Sequence, residues 1–198
     1  MTKSTTRVRK LTGTAMLAAV ATVLMYMEFP IPIMPAFIKM DISELPALIA
    51  GFAYGPMSGI AVCLIKNLIK LPSTSTAAVG ELFNFVMGAV FVGTAAFIYK
   101  YKKSRTGAII GSVVGALIMA VITVPYNYFI VYPAYVVMYH MPLEAIIGMY
   151  QAINPNVNGL LACLLVFNLP FTFFKGMVDA VICFLVYKPL SGILHGRK

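Results

Sequence analysis

The sequence predicts an all-α polytopic membrane protein, with six transmembrane helices and both termini cytoplasmic. Three observations lead there. Of 198 residues, 61% are hydrophobic and only 11% are Asp, Glu, Lys or Arg, whereas a soluble domain carries about a quarter charged residues because its surface faces water. Four runs, at about 11–29, 81–99, 107–132 and 159–187, are long enough to cross a bilayer, since roughly 20 apolar residues span the hydrocarbon core as a helix with its backbone groups satisfied internally. The basic residues fall into three acid-free clusters: Lys3, Arg7, Arg9 and Lys10; Lys100, Lys102, Lys103 and Arg105; Lys188, Arg197 and Lys198. Such composition excludes a water-soluble enzyme and a disordered chain. The net charge of +9 marks membrane orientation and not a nucleic-acid partner.

Helix one follows RVRK. Ala19-Val20-Ala21 resembles a signal-peptide cleavage site, but the apolar run continues to Met27, so that site falls in mid-segment and the run reads as a membrane helix. Residues 30–44, PIPIMPAFIKMDISE, hold three prolines that exclude helix. They predict a stiff, apolar, extended loop that folds over the helix ends as a lid or lies in the interface. Asp41 or Ser43 caps the second helix, with Glu44 in its first turn; a ligand contact is an equal reading for Asp41.

Residues 45–71 form either one span or two short helices, 45–55 and 57–71, folded back at Gly55-Pro56. Charge parity decides. A single span would put Lys100–Arg105 outside, whereas the hairpin brings all three basic clusters to the cytoplasmic side, as the positive-inside rule requires. The short pair must tilt little, sit in thinned bilayer or be shielded by neighbours. Lys66, Asn67 and Lys70 read as interface snorkels. Glu28, Glu81 and Glu144 fall at helix ends, where solvation is cheap. Glycines repeat every four residues at 51, 55, 59 and at 107, 111, 115, a spacing that lets helices approach closely. Pro125 and Pro133 break the fifth helix near its outer end. The outward segment 133–158 and its approach carry Tyr126, Tyr128, Tyr132, Tyr135, Tyr139 and Tyr150, either an aromatic belt at headgroup level or a ring-lined pocket for a planar ligand.

Polar groups at membrane depth are informative because each costs free energy unless it has a partner or a job. Lys175, in PFTFFKGMVDA, lies well inside helix six. An i, i+4 pair with Asp179 is the structural reading; a ligand donor is the functional one. Thr172 and Asn168 precede Lys175 on the same face, and Asn127 sits beside Pro125 with an amide suited to the edge of an imide or lactam. The set fits a neutral planar molecule better than a cation, Asp179 being the one acid near Lys175 in the sequence. Isolated Cys63, Cys163 and Cys183 with two histidines form no CxxC or HExxH, so neither a metal, a cofactor nor a disulfide framework is expected. With His140 in an external segment, His195 in the basic tail and no carboxylate pair in mid-membrane, an intramembrane enzyme is disfavoured. A purely structural subunit leaves Lys175 unexplained.

Across nearly its whole length the chain resembles the substrate-binding (S) component of an energy-coupling factor vitamin transporter, most of all the riboflavin-specific members. The resemblance rests on AMLAA in helix one, FPIP followed by DISELP, FAYGPMSG, KNL of helix three, NF with a following Gly in helix four, YNYF in helix five and PFTFFKG in helix six. It implies a six-helix fold in a bacterial plasma membrane, with an outward-facing vitamin pocket formed by the first external loop and helices four to six. It implies riboflavin as the transported ligand, and docking on a transmembrane coupling (T) subunit driven by two ATPase subunits, so that the chain itself hydrolyses nothing. Ala15 and Ala19 match the alanine motif that contacts the T subunit. Asn127 and Lys175 match positions that hold the isoalloxazine edge, Met40 and Asp41 match the loop that closes over the ligand, and Thr172 stands where an Asn is expected. With Tyr128 and Asn168 these complete the ligand-binding set. The whole chain, 1–198, is expected to be one membrane domain.

Overall fold

The computed structural model describes residues 3–74 and 76–195, with the side chains of Lys3, Tyr139 and 188–195 left aside; Arg197 and Lys198 of the third basic cluster lie outside the described residues. Helix α1 spans Lys3–Tyr26. Strands β1, Phe29–Pro30, and β2, Lys39–Met40, pair antiparallel, with Phe29 opposite Met40. Then follow α2, Glu44–Tyr54; α3, Pro56–Lys70; α4, Val79–Tyr101; and α5, Arg105–Tyr126. A π-helical turn, Asn127–Val131, leads into α6, Tyr132–Tyr139; α7 is Leu143–Gln151. The last rod is α8, Leu160–Cys163, a π-helical turn at Leu164–Asn168, and α9, Leu169–His195. Among the described residues, four helical stretches are long and apolar enough to cross a membrane: Ser4–Tyr26, Val79–Tyr101, Arg105–Met138 and Leu160–Tyr187.

Helix α2 is the hub. It packs against α1, α3, α4 and α9, with Ala47, Leu48 and Ala50 fully buried. An eleven-residue helix surrounded in this way has little backbone to expose to lipid, which is how so short an element is tolerated. The reversal into α3 turns on Gly55, whose φ of 102° lies where a Cβ is disfavoured, and Pro56 then occupies the first helical position, where its missing N–H costs nothing. On α5 the expected close approach is made against α4: a Cβ on Gly111 would lie 2.6 Å from the Ala95 carbonyl oxygen, and one on Gly115 2.7 Å from that of Phe91.

One end of the bundle gathers the start of α1, the α2–α3 turn and the ends of α4 and α9. Gly13 lies against Tyr54, and the Phe52 ring meets Tyr99 at 5.0 Å and Tyr187 at 6.5 Å. The basic residues before Gly13, those of 100–105 and the segment after Tyr187 therefore share this end. At the other end Tyr26 bonds Ser73, and Glu28 bonds Lys70.

One expectation needs correction. Helix five is not broken: Pro125 lies inside α5, and the rod continues through the π-helical turn, where Tyr132 N–H reaches the Asn127 carbonyl. The wider turn makes room for the Pro133 ring without stopping the helix. Within 133–158, α7 buries Ile146 and Tyr150, four residues apart, in a small second core with Tyr132, Val157, Cys163 and Leu164. The proline-rich loop is tied back on itself by the β1–β2 ribbon.

Candidate ligand-binding site

Helix α3 is built inside out. Leu64, Leu68 and Ile69 are exposed, while Lys66, Asn67 and Lys70 face inward and are buried. That corrects the snorkelling assignment: near lipid the apolar side chains take the outer face and the polar ones must find partners inside. Lys66, fully buried, donates to Ser43 Oγ and to Glu44 Oε1, the latter at 2.7 Å. Ser43 donates through both N–H and Oγ to Asp41 Oδ1. Asp41 Oδ2 accepts from Lys175 Nζ at 2.8 Å, and the same ammonium lies 3.2 Å from Glu44 Oε2. A closed ring of Asp41, Ser43, Lys66, Glu44 and Lys175 thus ties the end of the proline-rich loop, α2, α3 and α9 together.

The ring overturns two expectations. Lys175 does not pair with Asp179, and Asp179 is not the one acid near it: folding brings Asp41 and Glu44 to the ammonium across 134 residues of sequence in the first case. Nor is the interior free of paired carboxylates. As for the cap of α2, Ser43 holds the position without a side-chain cap bond, its hydroxyl being spent on Asp41. Burial opposes charge on Asp41, yet the nearby Lys175 and Lys66, helped by hydrogen bonds from Lys175 and Ser43, outweigh it and hold the carboxyl well below the usual carboxylate range. The stability this contributes is fully present above that usual range and is lost only as pH falls through the depressed value.

Beside the ring opens a cavity of about 180 Å³. Five of the seven predicted ligand-binding residues line it: Asp41, Asn127, Asn168, Thr172 and Lys175. Asn127 is 3% exposed, and its Nδ2 has no hydrogen-bond partner. The Lys175 side chain keeps 15% of its surface, and of the three ammonium hydrogens one is bonded to Asp41, with Glu44 Oε2 an ion-pair neighbour, so donor capacity remains for the cavity. Asn168 is occupied: Tyr150 donates to its Oδ1 at 2.7 Å, its Nδ2 donates to Tyr132 at 3.4 Å, and the two tyrosine hydroxyls share a bond. Since Tyr150 spends its hydrogen on Asn168, Tyr132 is the donor in that third bond, and the triangle closes. Phe37, from the proline-rich loop, stands edge-on to Tyr132, Tyr135 and Tyr150 with centroids 6.2–6.4 Å away. Met40 is buried in β2 and Tyr128 is 40% exposed against Phe129; neither is on the cavity wall.

The sequence reading missed several wall residues. Glu28, Lys70 and Lys39 form a chain at the rim, with Glu28 accepting from Lys70 at 2.6 Å and Lys39 at 2.9 Å. Burial alone would raise the Glu28 carboxyl, but these two ammonium groups outweigh it and lower it. Glu81 is not simply solvated at a helix end; it is buried and accepts from Thr74 and Thr76. Asn84 accepts from Asn67 at 3.3 Å. A signal was present: positions 66, 67 and 70 share one face of an otherwise apolar helix. Apolar walls come from Phe83, Met87, Met119 and Phe171. Ala15 and Ala19 are both exposed, whereas Ala18 is buried, so that face of α1 is not used for internal packing. In sum, the site offers rings, an open amide, a hydroxyl and an ammonium to a guest, a chemistry of recognition by shape and hydrogen bonds.

Known proteins resemble this chain in sequence and fold. Residues 9–187 match the family described as "ECF transporter, substrate-specific component". A Staphylococcus aureus (strain TCH60) protein named "Riboflavin transporter RibU" is 33% identical over 186 residues, covering 94% of this chain and 92% of its own. "Riboflavin transporter FmnP" of Bacillus subtilis (strain 168) is 34% identical over 195 residues, 97% of each. A solved structure described as "Structure and mechanism of the S component of a bacterial ECF transporter" superposes with a TM-score of 0.74 at 32% identity, covering 95% of this chain and 98% of that one. These matches over almost the whole chain make it a member of the ECF transporter substrate-specific component family, a transporter subunit and not an enzyme.

Proposed function

We propose that the protein captures riboflavin from outside the cell and delivers it through an ATP-driven complex with a T subunit and two ATPase subunits. The observation that carries the ligand assignment is the unpartnered Asn127 amide on the same cavity wall as the Lys175 ammonium. A flavin ring is flat, has an imide edge and carries an uncharged polyol, which suits a wall with rings and donors; relatives named riboflavin transporters at 33–34% identity support the choice over another vitamin. Asn127, Thr172 and Lys175 hold the ring edge. Asp41 and Asn168 act behind them, the first by orienting Lys175 and the second by fixing Tyr132 and Tyr150. Met40 and Tyr128 contribute through the loop and the outer end of helix five when the site closes. The test is titration of riboflavin into detergent-purified protein: the expected result is quenched flavin fluorescence at micromolar ligand, with riboflavin stabilising the protein most in a vitamin panel read by thermal shift. Unquenched fluorescence would remove the assignment.

The chain is a single membrane domain, multi-pass in the bacterial plasma membrane, with six spans at the positions of α1 to α5 and α9 and both termini in the cytoplasm. The support is the gathering of basic residues at one end of the bundle, opposite the rim of the cavity, as the positive-inside rule requires. The exposed Ala15–Ala19 face is the docking surface for the T subunit, small side chains permitting close helix approach. Changing Ala15 and Ala19 to leucine is expected to abolish ATP-driven uptake in vesicles of the full complex while riboflavin binding stays as in the wild type. Unimpaired uptake would place the T-subunit contact elsewhere.

A further inference from the structure

Asp179 is the one member of the buried charge cluster that the ring leaves out. It is fully buried on α9, one turn beyond Lys175, it contributes to the cavity wall, and neither carboxylate oxygen has a hydrogen-bond partner. The two ammonium groups of the cluster bond other residues, Lys175 to Asp41 and Lys66 to Ser43 and Glu44, and neither hydrogen-bonds Asp179. The nearby thiols of Cys63 and Cys183 are weak donors. An acceptor in this position bears the full cost of its lost hydration unless something in the cavity donates to it. On the same wall, Asn127 Nδ2 is a donor without an acceptor. The wall therefore combines donors from Asn127, Thr172 and Lys175 with unbonded carboxyl oxygens of Asp179 and of Glu44, the latter already 3.2 Å from the Lys175 ammonium. An imide edge is the complement: two carbonyl acceptors with an N–H between them.

We propose that Asp179 is the specificity-determining acceptor for the imide N–H of the ligand, resting on the flavin assignment above. A carboxylate in that role separates an imide from its N-alkylated form, which has no hydrogen to give and adds bulk where the oxygen stands.

Wild type, Asp179→Ala and Asp179→Asn are each titrated with riboflavin and with 3-methylriboflavin by flavin fluorescence. Methylation is expected to weaken wild-type binding roughly 10- to 100-fold, the range of a charge-assisted hydrogen bond. It is expected to have little effect on Asp179→Ala, whose riboflavin affinity has already fallen by a similar factor. Asp179→Asn keeps the shape and a neutral carbonyl acceptor, so it gives an intermediate penalty; a purely structural role would weaken both ligands alike. The same penalty in the wild type and in the variants, or none in the wild type, overturns the proposal. Should Asp179→Ala fail to fold, the comparison of wild type with Asp179→Asn decides, an undiminished penalty in the variant counting against it. Wild-type protein that binds no riboflavin at all overturns the flavin assignment itself.

Discussion

Lys175→Met weakens riboflavin binding by two orders of magnitude or more. Methionine preserves the apolar stem but removes the ammonium that holds Asp41 Oδ2 at 2.8 Å and Glu44 Oε2 at 3.2 Å. Removing one partner of a buried ion pair costs about 3–5 kcal/mol because the other charge stays buried, and about 1.4 kcal/mol is tenfold in affinity. Two losses fall on the same site. The ligand loses a donor, and the end of the proline-rich loop loses its tether to α9, so the wall that Asp41 completes is no longer held in place. Asn127→Ala is the useful contrast. Its Nδ2 has no partner within the protein, so truncation should cost roughly tenfold in affinity, the value of one hydrogen bond, with the thermal midpoint of the unliganded protein unchanged. Fluorescence titration of both variants in detergent checks the pair, and Lys175→Met titrating like wild type would show that the ammonium does not face the ligand.

Lys66→Met is expected to lower the stability of the unliganded protein by about 3–5 kcal/mol, the largest structural effect of any single change at the site. Lys66 is fully buried and donates to both Ser43 and Glu44; without it Glu44 Oε1 loses its ammonium and α3 loses its polar hold on α2. The check is thermal unfolding in detergent, read alongside Lys66→Met/Glu44→Gln. Neutralising the acid removes the stranded charge, so the double variant should recover part of the loss, as coupled neighbours do. An unchanged midpoint in the single variant would mean that burial of the ammonium cancels everything its bonds contribute.

The two lysines also show where sequence reading reached its limit. Lys175 stood out because an ammonium sixteen residues into an apolar run is costly wherever it points, and cost can be read without knowing the partner. Its partner could not be read the same way. Asp179, one turn away, is the local choice, and the structure instead uses Asp41 and Glu44 from the other half of the chain. Lys66 and Lys70 were misjudged because a lysine near a helix end has a cheap local solution, snorkelling, which holds only if that face meets the interface. The exposed face of α3 belongs to Leu64, Leu68 and Ile69. Helix α7 escaped notice for a different reason: a nine-residue helix has room for little more than one buried pair, Ile146 and Tyr150, too little periodicity to register.

By itself the sequence determined what depends on composition and one-dimensional order. Membrane class followed from apolar content, the α2–α3 hairpin from charge parity together with Gly55-Pro56, and the cost of Asn127 and Lys175 from their place inside apolar runs. Tertiary structure alone decided which charges neutralise one another, that Asn168 is spent on two tyrosines, that Asp179 is left unpartnered, and that Ala15 and Ala19 face outward. The physical reason is range. Hydrophobic transfer and helix geometry act on each segment separately and leave a periodic trace, whereas a hydrogen bond reaches only about 3 Å and its partner is chosen by how distant helices pack.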